Sequence, residues 1–219
     1  VTRIRPLVNV AAVRQALDFG GRPDPARGIF ETMLVSDGQV PLLDAQLTRL
    51  GTSANELYSE TLTPGLKAAV EAATPPGTAR LRVTLIPGER IQIDHGPRAP
   101  DPVYREIAPF ALPGGLGPHK WADRSLLDAI TAAAGDHALP LLIDTDHSVL
   151  ESTRMNVLIE EHGRLISPPA DRRFRSGFGR TSLRYDEEPV DLDRLLAADA
   201  VVLTSALRVV RLELAASDH

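Results

Sequence analysis

Short strand patterns and helix patterns alternate along the whole chain, and this alternation restricts the fold more than any other feature. "GIFETMLVSDGQVPLL" holds two apolar-rich runs on either side of Asp37-Gly38, a hairpin signal. Asp44 stands as the cap of a helix through "AQLTRLGTSANELYSETL", where Leu47, Leu50, Ala54 and Leu57 recur at helical spacing. Thr63-Pro64 opens a second helix in "TPGLKAAVEAA". "TARLRVTLI" switches to a period of two, with Arg80, Arg82 and Thr84 on one face; "RIQID" and "YREIAPF" follow as strand candidates. Further on, "ADRSLLDAITAAAG" reads as a helix ended by Gly135. "LPLLIDTD", "VLIEEHGRLISP" and "AVVLTSALRVVRLEL" read as strands and hairpins, the middle one turned by His162-Gly163, with short helices expected in "FGRTSLRY" and "DLDRLLAA". Both halves mix strands and helices, which implies two α/β or α+β domains. Proline and glycine gather between residues 96 and 118, in "GPRAP" and "LPGGLGP", so the linker is expected there.

Composition removes several functions. Hydrophobic residues make up 43% of the 219 and aromatics only 4%, so the core is aliphatic and of ordinary size. A net charge of −5 argues against a general nucleic-acid or anionic-membrane binder. With no cysteine, disulfides, thiolate catalysis and cysteine metal sites are excluded. The histidines are scattered, and no metal site is expected. No apolar run approaches the ~18 residues of a membrane span. "VTRIRPLVNVAAVRQALDFGG" has no signal-peptide pattern, so a soluble, cytoplasmic protein is expected.

Of 24 basic residues only Lys67 and Lys120 are lysines. Lys67, with Glu71 four residues on, reads as helix surface. Lys120, in "GPHKWADR", is either a solvated surface lysine or one kept for its amine. An arginine would supply charge there, but its guanidinium stays protonated and cannot form an imine.

Five blocks, in order, carry a resemblance: "GIFETMLVSDG", "LDAQLTRL", "HKWADR", "VLESTRMNVLI" with "GRLISPP", and "LTSALRVVRL". From Gly28 to Leu212 the chain resembles the fold-type IV pyridoxal-phosphate enzymes, the class IV aminotransferase superfamily. That group includes branched-chain and D-amino-acid aminotransferases and 4-amino-4-deoxychorismate lyase. The resemblance implies a mixed α+β and α/β fold of two domains. A smaller N-terminal α+β domain covers residues 1–108, a linker 109–115, and a larger C-terminal β pseudo-barrel domain 116–219. It implies pyridoxal 5'-phosphate as cofactor, a small-molecule amino substrate, and a homodimer.

The family's residue roles fall on named positions. Lys120 matches the lysine that joins the cofactor aldehyde, and its amine has to be available as a neutral nucleophile. Arg124, one helical turn later, is placed to supply a cationic field. Glu151 matches the acid that keeps the pyridine nitrogen protonated, and Asn156 the asparagine that orders this turn. Arg49 matches the phosphate arginine. Backbone N–H groups of Phe178 and Gly179, at an expected helix start, and the hydroxyls of Thr204 and Ser205 match the remaining phosphate donors. Arg80, Arg82 and Arg208 are candidates to clamp a substrate with two carboxylates. Two features depart from the aminotransferase pattern: Ser125 stands where many members carry tyrosine, and Phe178-Gly179 replaces Ile-Thr.

"KWADR", the compact length and the "FET" opening are most similar to the lyase branch. The expected reaction is β-elimination from 4-amino-4-deoxychorismate to 4-aminobenzoate and pyruvate. An aminotransferase for a D- or branched-chain amino acid is the alternative, and a catalytically inactive binding module a third.

Overall fold

The structure, a computed structural model, describes residues 2–4, 13–89 and 91–214. Its first elements are β1 (Thr2–Ile4), β2 (Arg14–Gln15), β3 (Ile29–Val35), α1 (Leu43–Tyr58), α2 (Leu66–Ala72), β4 (Ala79–Leu85), β5 (Ile91–Gly96) and β6 (Glu106–Ala111). Then come α3 (Ser125–Ala134), β7 (Ala138–Ile143), β8 (Val149–Ser152), β9 (Asn156–Glu161), β10 (Arg164–Ser167), β11 (Asp186–Glu187), α4 (Leu192–Ala197), β12 (Ala200–Ser205) and β13 (Arg208–Leu214).

The chain divides into two compact units that do not follow a single cut. The smaller takes Pro23–Pro100 and, from further along, His119–Arg124; the larger takes the residues up to Arg22, Asp101–Pro118 and everything from Ser125 on. The expected linker at 109–115 begins inside β6, where Phe110 is fully buried. Proline and glycine misled here because Pro109 lies within a strand of the sheet.

In the smaller unit, antiparallel β3, β4 and β5 form a three-stranded sheet. Period-two alternation buries Ile29, Met33, Val35, Leu81, Val83 and Leu85 on one face. Leu43, Leu47, Leu50 and Ala54 on one stripe of α1 join that core. Each fully buried aliphatic side chain contributes about 1.5–3 kcal/mol. The turn at Asp37 (φ 51°) and Gly38 (φ 73°) forms, but the expected hairpin does not. Only Ser36 and Gln39 bridge, and β3 takes β4 as its partner instead. Asp44 lies inside the first turn of α1, whose cap position is Leu42, and it pairs with Lys67 at 2.7 Å. Lys67 is thus an exposed ion-pair partner of Asp44.

In the larger unit, a ten-stranded sheet runs in the order β1-β13-β12-β9-β8-β7-β6-β2, with β10 and β11 branching from β9. The expected pseudo-barrel does not close among the described residues; the path is open. β6 and β7 are parallel, and every residue of β7 is buried, which explains its uninterrupted apolar run "ALPLLI". The main core lies on the face carrying Leu141, Val157, Leu203 and Leu212. α4 starts where Asp191 accepts from the Arg194 N–H, and β9 and β10 turn at His162-Gly163 as expected. "FGRTSLRY" yields only a three-residue 3-10 turn, Phe178–Arg180. Its glycine and Thr-Ser content does not sustain a longer helix, so no helix dipole acts there.

Candidate active site

The lysine segment is held against the start of β3 in the smaller unit by an isolated bridge and two backbone hydrogen bonds. Trp121 bridges Ile29 antiparallel, the Phe30 N–H donates to the Lys120 carbonyl at 2.9 Å, and the Ala122 N–H donates to the Gly28 carbonyl at 2.9 Å. Successive side chains of an extended segment leave on opposite faces. Trp121 packs on the aliphatic core. His119 meets the Trp121 ring edge-on at 5.5 Å and shares a 3.1 Å hydrogen bond with Ser53 on α1. Lys120 leaves on the other face, its Nζ 4.7 Å from the centre of the Phe30 ring. The helical turn expected between Lys120 and Arg124 is absent: α3 starts at Ser125, after both.

Gly28 is fixed by this arrangement. Its φ is +87°, and a Cβ there would run into the Leu85 carbonyl. The backbone therefore passes close enough to β4 to present its own carbonyl to Ala122.

Arg82 lies over the same Phe30 ring, guanidinium carbon to centroid 3.8 Å. Arg80, two residues away on the same face, donates to Asp94 at 2.8 Å. Arg49, expected at a phosphate, gives Nε and Nη2 to Glu31 at 2.7 Å each. Glu31 stands at an inward position of β3 and its side chain is only 3% exposed. Its signal in the sequence was a charged residue in step with Ile29, Met33 and Val35.

In the larger unit, strand register places three expected residues in one row. Glu151 on β8 is opposite Asn156 on β9, and Asn156 is opposite Thr204 on β12. Cross-strand partners share a face, so this row lies on the face opposite Val157 and Leu203 of the main core. Two strand spacings, about 10 Å, separate its ends.

Asn156 ties the loop before the 3-10 turn to this row. Its Nδ2 donates to the Arg175 carbonyl at 2.8 Å, and its Oδ1 accepts from the Gly177 N–H. Beyond it, Gly179 is pressed on Ser205: a Cβ on Gly179 would lie 2.7 Å from the Ser205 nitrogen. Only glycine fits, which accounts for Gly179 where the family pattern has threonine. Thr204 is 1% exposed, and its Oγ1 has no hydrogen-bond partner in the structure. Arg208 is largely buried at the start of β13, with Asp101 3.4 Å from its Nε.

The donor set is thus partly assembled within each unit. Lys120, Arg49, Arg80 and Arg82 belong to the smaller; Glu151, Asn156, Phe178, Gly179, Thr204, Ser205 and Arg208 belong to the larger. No cluster of His, Asp or Glu able to hold a metal occurs among the described residues. No helix among them is long and apolar enough to cross a membrane.

Residues 119–212 match the family model of amino-transferase class IV. A candidate amino-acid aminotransferase from Mesorhizobium loti superposes with a TM-score of 0.73 at 25% identity, covering 85% of this chain and 99% of that one. The fold is that of the class IV aminotransferases. A hypothetical aminotransferase from Mycobacterium tuberculosis, in its α-ketoglutarate- and PMP-bound form, has this fold with a TM-score of 0.74 at 23% identity, over 95% of this chain and 86% of that one. A candidate 4-amino-4-deoxychorismate lyase from Legionella pneumophila gives 0.71 at 17% identity, over 97% and 91%. No curated protein matches the chain. The class IV match begins at His119, so it takes in the lysine segment and the whole row from Glu151 to Thr204.

Proposed function

We propose that this chain is a pyridoxal 5'-phosphate enzyme and that it cleaves 4-amino-4-deoxychorismate to 4-aminobenzoate and pyruvate. One observation carries the cofactor reading. Glu151, Asn156 and Thr204 stand in a single cross-strand row that ends on a buried hydroxyl without a partner. An acid at one end of the row suits a pyridine nitrogen, and a hydroxyl donor at the other suits a phosphate. Gly179, with no side chain, keeps the backbone beside Ser205 bare for the same anion.

When bound, the cofactor supplies an electron sink for the bond broken at the substrate Cα. The chain's own residues do the rest. Lys120 would hold the cofactor aldehyde and, as a free amine, take the proton from Cα and deliver one to the departing pyruvate portion. Glu151 keeps the ring nitrogen protonated. Thr204, Ser205 and the 178–179 backbone would hold the phosphate in the larger unit; in the smaller, Arg49, its fork fixed by Glu31, is the phosphate arginine that the resemblance implies. Arg80, Arg82, Arg208 and Arg124 supply positive charge for a substrate bearing two carboxylates. The working form is a homodimer, which sedimentation of the purified protein tests.

Lyase chemistry is favoured by the "KWADR" block and by Ser125 in place of a tyrosine. Aminotransfer to or from a D- or branched-chain amino acid is the second reading, favoured by the likeness to the Mesorhizobium loti protein. The purified protein is incubated with 4-amino-4-deoxychorismate while 4-aminobenzoate and pyruvate are followed. Formation of both supports the lyase; conversion of the cofactor to its amine form by amino acids, with neither product, selects the aminotransferase. Borohydride reduction and peptide mapping are expected to find the cofactor on Lys120. A label on Lys67, or none, would end the proposal.

A further inference from the structure

Arg180 is 1% exposed, so its guanidinium is among the most buried groups of the larger unit. Its Nη1 donates to the Ser167 hydroxyl and reaches the Pro168 carbonyl at 3.5 Å. Nη2 meets Glu187 at 3.2 Å, and the guanidinium carbon lies 4.9 Å from the Tyr185 ring centre. Nε makes no hydrogen bond. Among the described residues, the carboxylate that meets this buried cation belongs to Glu187, whose side chain is 46% exposed. A buried charge is costly unless compensated, and so is each buried polar atom without a partner.

Position makes these costs informative. Arg180 follows Gly179, which is pressed on the Ser205 backbone, and Thr204 precedes Ser205. Two buried, unpartnered polar atoms, Arg180 Nε and Thr204 Oγ1, thus belong to residues that flank one backbone contact. Both are donors, and one is cationic. Native structures seldom leave such atoms unsatisfied, and a phosphate group is the chemistry that answers a cation and a hydroxyl together.

The geometry points to Arg180 as a positioning residue of an anion site at the 178–180 turn. It anchors the turn to β10 and β11, and its incompletely neutralised charge draws a phosphate to the Thr204 hydroxyl. This rests on the cofactor reading in one respect: the phosphate is taken to be that of pyridoxal 5'-phosphate. Glu187 sets the strength of the site by neutralising part of the charge from the solvent side.

The test measures dissociation constants of pyridoxal 5'-phosphate and of pyridoxal, which lacks the phosphate, for the full-length protein and for Arg180→Gln and Glu187→Gln. Arg180→Gln is expected to weaken the phosphorylated ligand about tenfold or more, with pyridoxal unchanged. Glu187→Gln is expected to tighten the phosphorylated ligand about two- to fivefold, again with pyridoxal unchanged. Equal weakening of both ligands by Arg180→Gln means general damage to the fold, and no weakening means no role; either overturns the inference. If Arg180→Gln does not fold, Glu187→Gln decides: tighter binding of the phosphorylated ligand upholds the inference, and unchanged or weaker binding overturns it. Inorganic phosphate titrated by phosphorus NMR separates the two readings. If the unaltered protein binds neither pyridoxal compound but binds phosphate in an Arg180-dependent way, the cofactor reading fails and the anion site stands. If it binds none of the three, both fail.

Discussion

Arg49 grips Glu31 through two parallel bonds, Nε to Oε1 and Nη2 to Oε2, both 2.7 Å long. The pair joins α1 to β3 across the core of the smaller unit, with Glu31 buried and Arg49 20% exposed. Removing one partner of such a pair leaves the other charged and desolvated. Glu31→Ala is therefore expected to lower stability by about 3 kcal/mol. Urea denaturation checks this, and a loss below about 1 kcal/mol would show the pair to be no stronger than a surface contact.

His119 makes the smaller unit sensitive to acid. Burial holds its imidazole below the ordinary value of 6.5, with Glu56 pulling weakly the other way. A lowered value in the folded state means that the unfolded chain takes up the proton first. The stabilising share is complete above 6.5 and is lost as the pH falls through the lowered value. Unfolding free energies measured above and below 6.5 are expected to fall on the acid side, and His119→Asn is expected to flatten that slope. An unchanged slope in the variant would assign the acid sensitivity to other groups.

Gly179→Ala places a methyl group against the Ser205 backbone. The 178–180 turn has to move, so binding of pyridoxal 5'-phosphate is expected to weaken about tenfold or more, and the melting temperature to fall as well. Titration by absorbance measures the affinity. Affinity equal to the parent protein would place the phosphate elsewhere.

Trp121 is the single tryptophan of the chain and the neighbour of Lys120. A chromophore attached to Lys120 lies within a few residues of it and accepts its excitation energy. Tryptophan emission is expected to fall on addition of pyridoxal 5'-phosphate, and to stay constant in Lys120→Ala under the same titration. Equal quenching in both proteins would argue against attachment at position 120.

Elements with a strong period were legible in the sequence. The stripe of Leu47, Leu50 and Ala54 gave α1, the alternation of "TARLRVTL" gave β4, and Gly135 and His162-Gly163 marked real ends and turns. The unit boundary was not legible. Proline and glycine report where a chain bends, and here they bend it into and out of a sheet rather than across a linker. The turn at Asp37-Gly38 was legible but its partner strand was not, because β3 pairs with residues about fifty positions away. Of the candidate site, residue types and order suggested Lys120, Glu151 and Thr204. What no local pattern carries is that Glu151, Asn156 and Thr204 fall in register, or that Arg49 is taken up by Glu31. Arg180 was hidden for a related reason: in a chain with 22 arginines, burial is what distinguishes one of them.

The backbone passes between the two units at 22/23, 100/101, 118/119 and 124/125. The six residues from His119 to Arg124 are lent by one part of the gene to a sheet encoded by another. A fragment of residues 23–100 is left without its borrowed edge, and a fragment starting at 101 carries Trp121 without the core that covers it. Neither half can be excised in one piece, so separately expressed halves have to complement each other before either is whole.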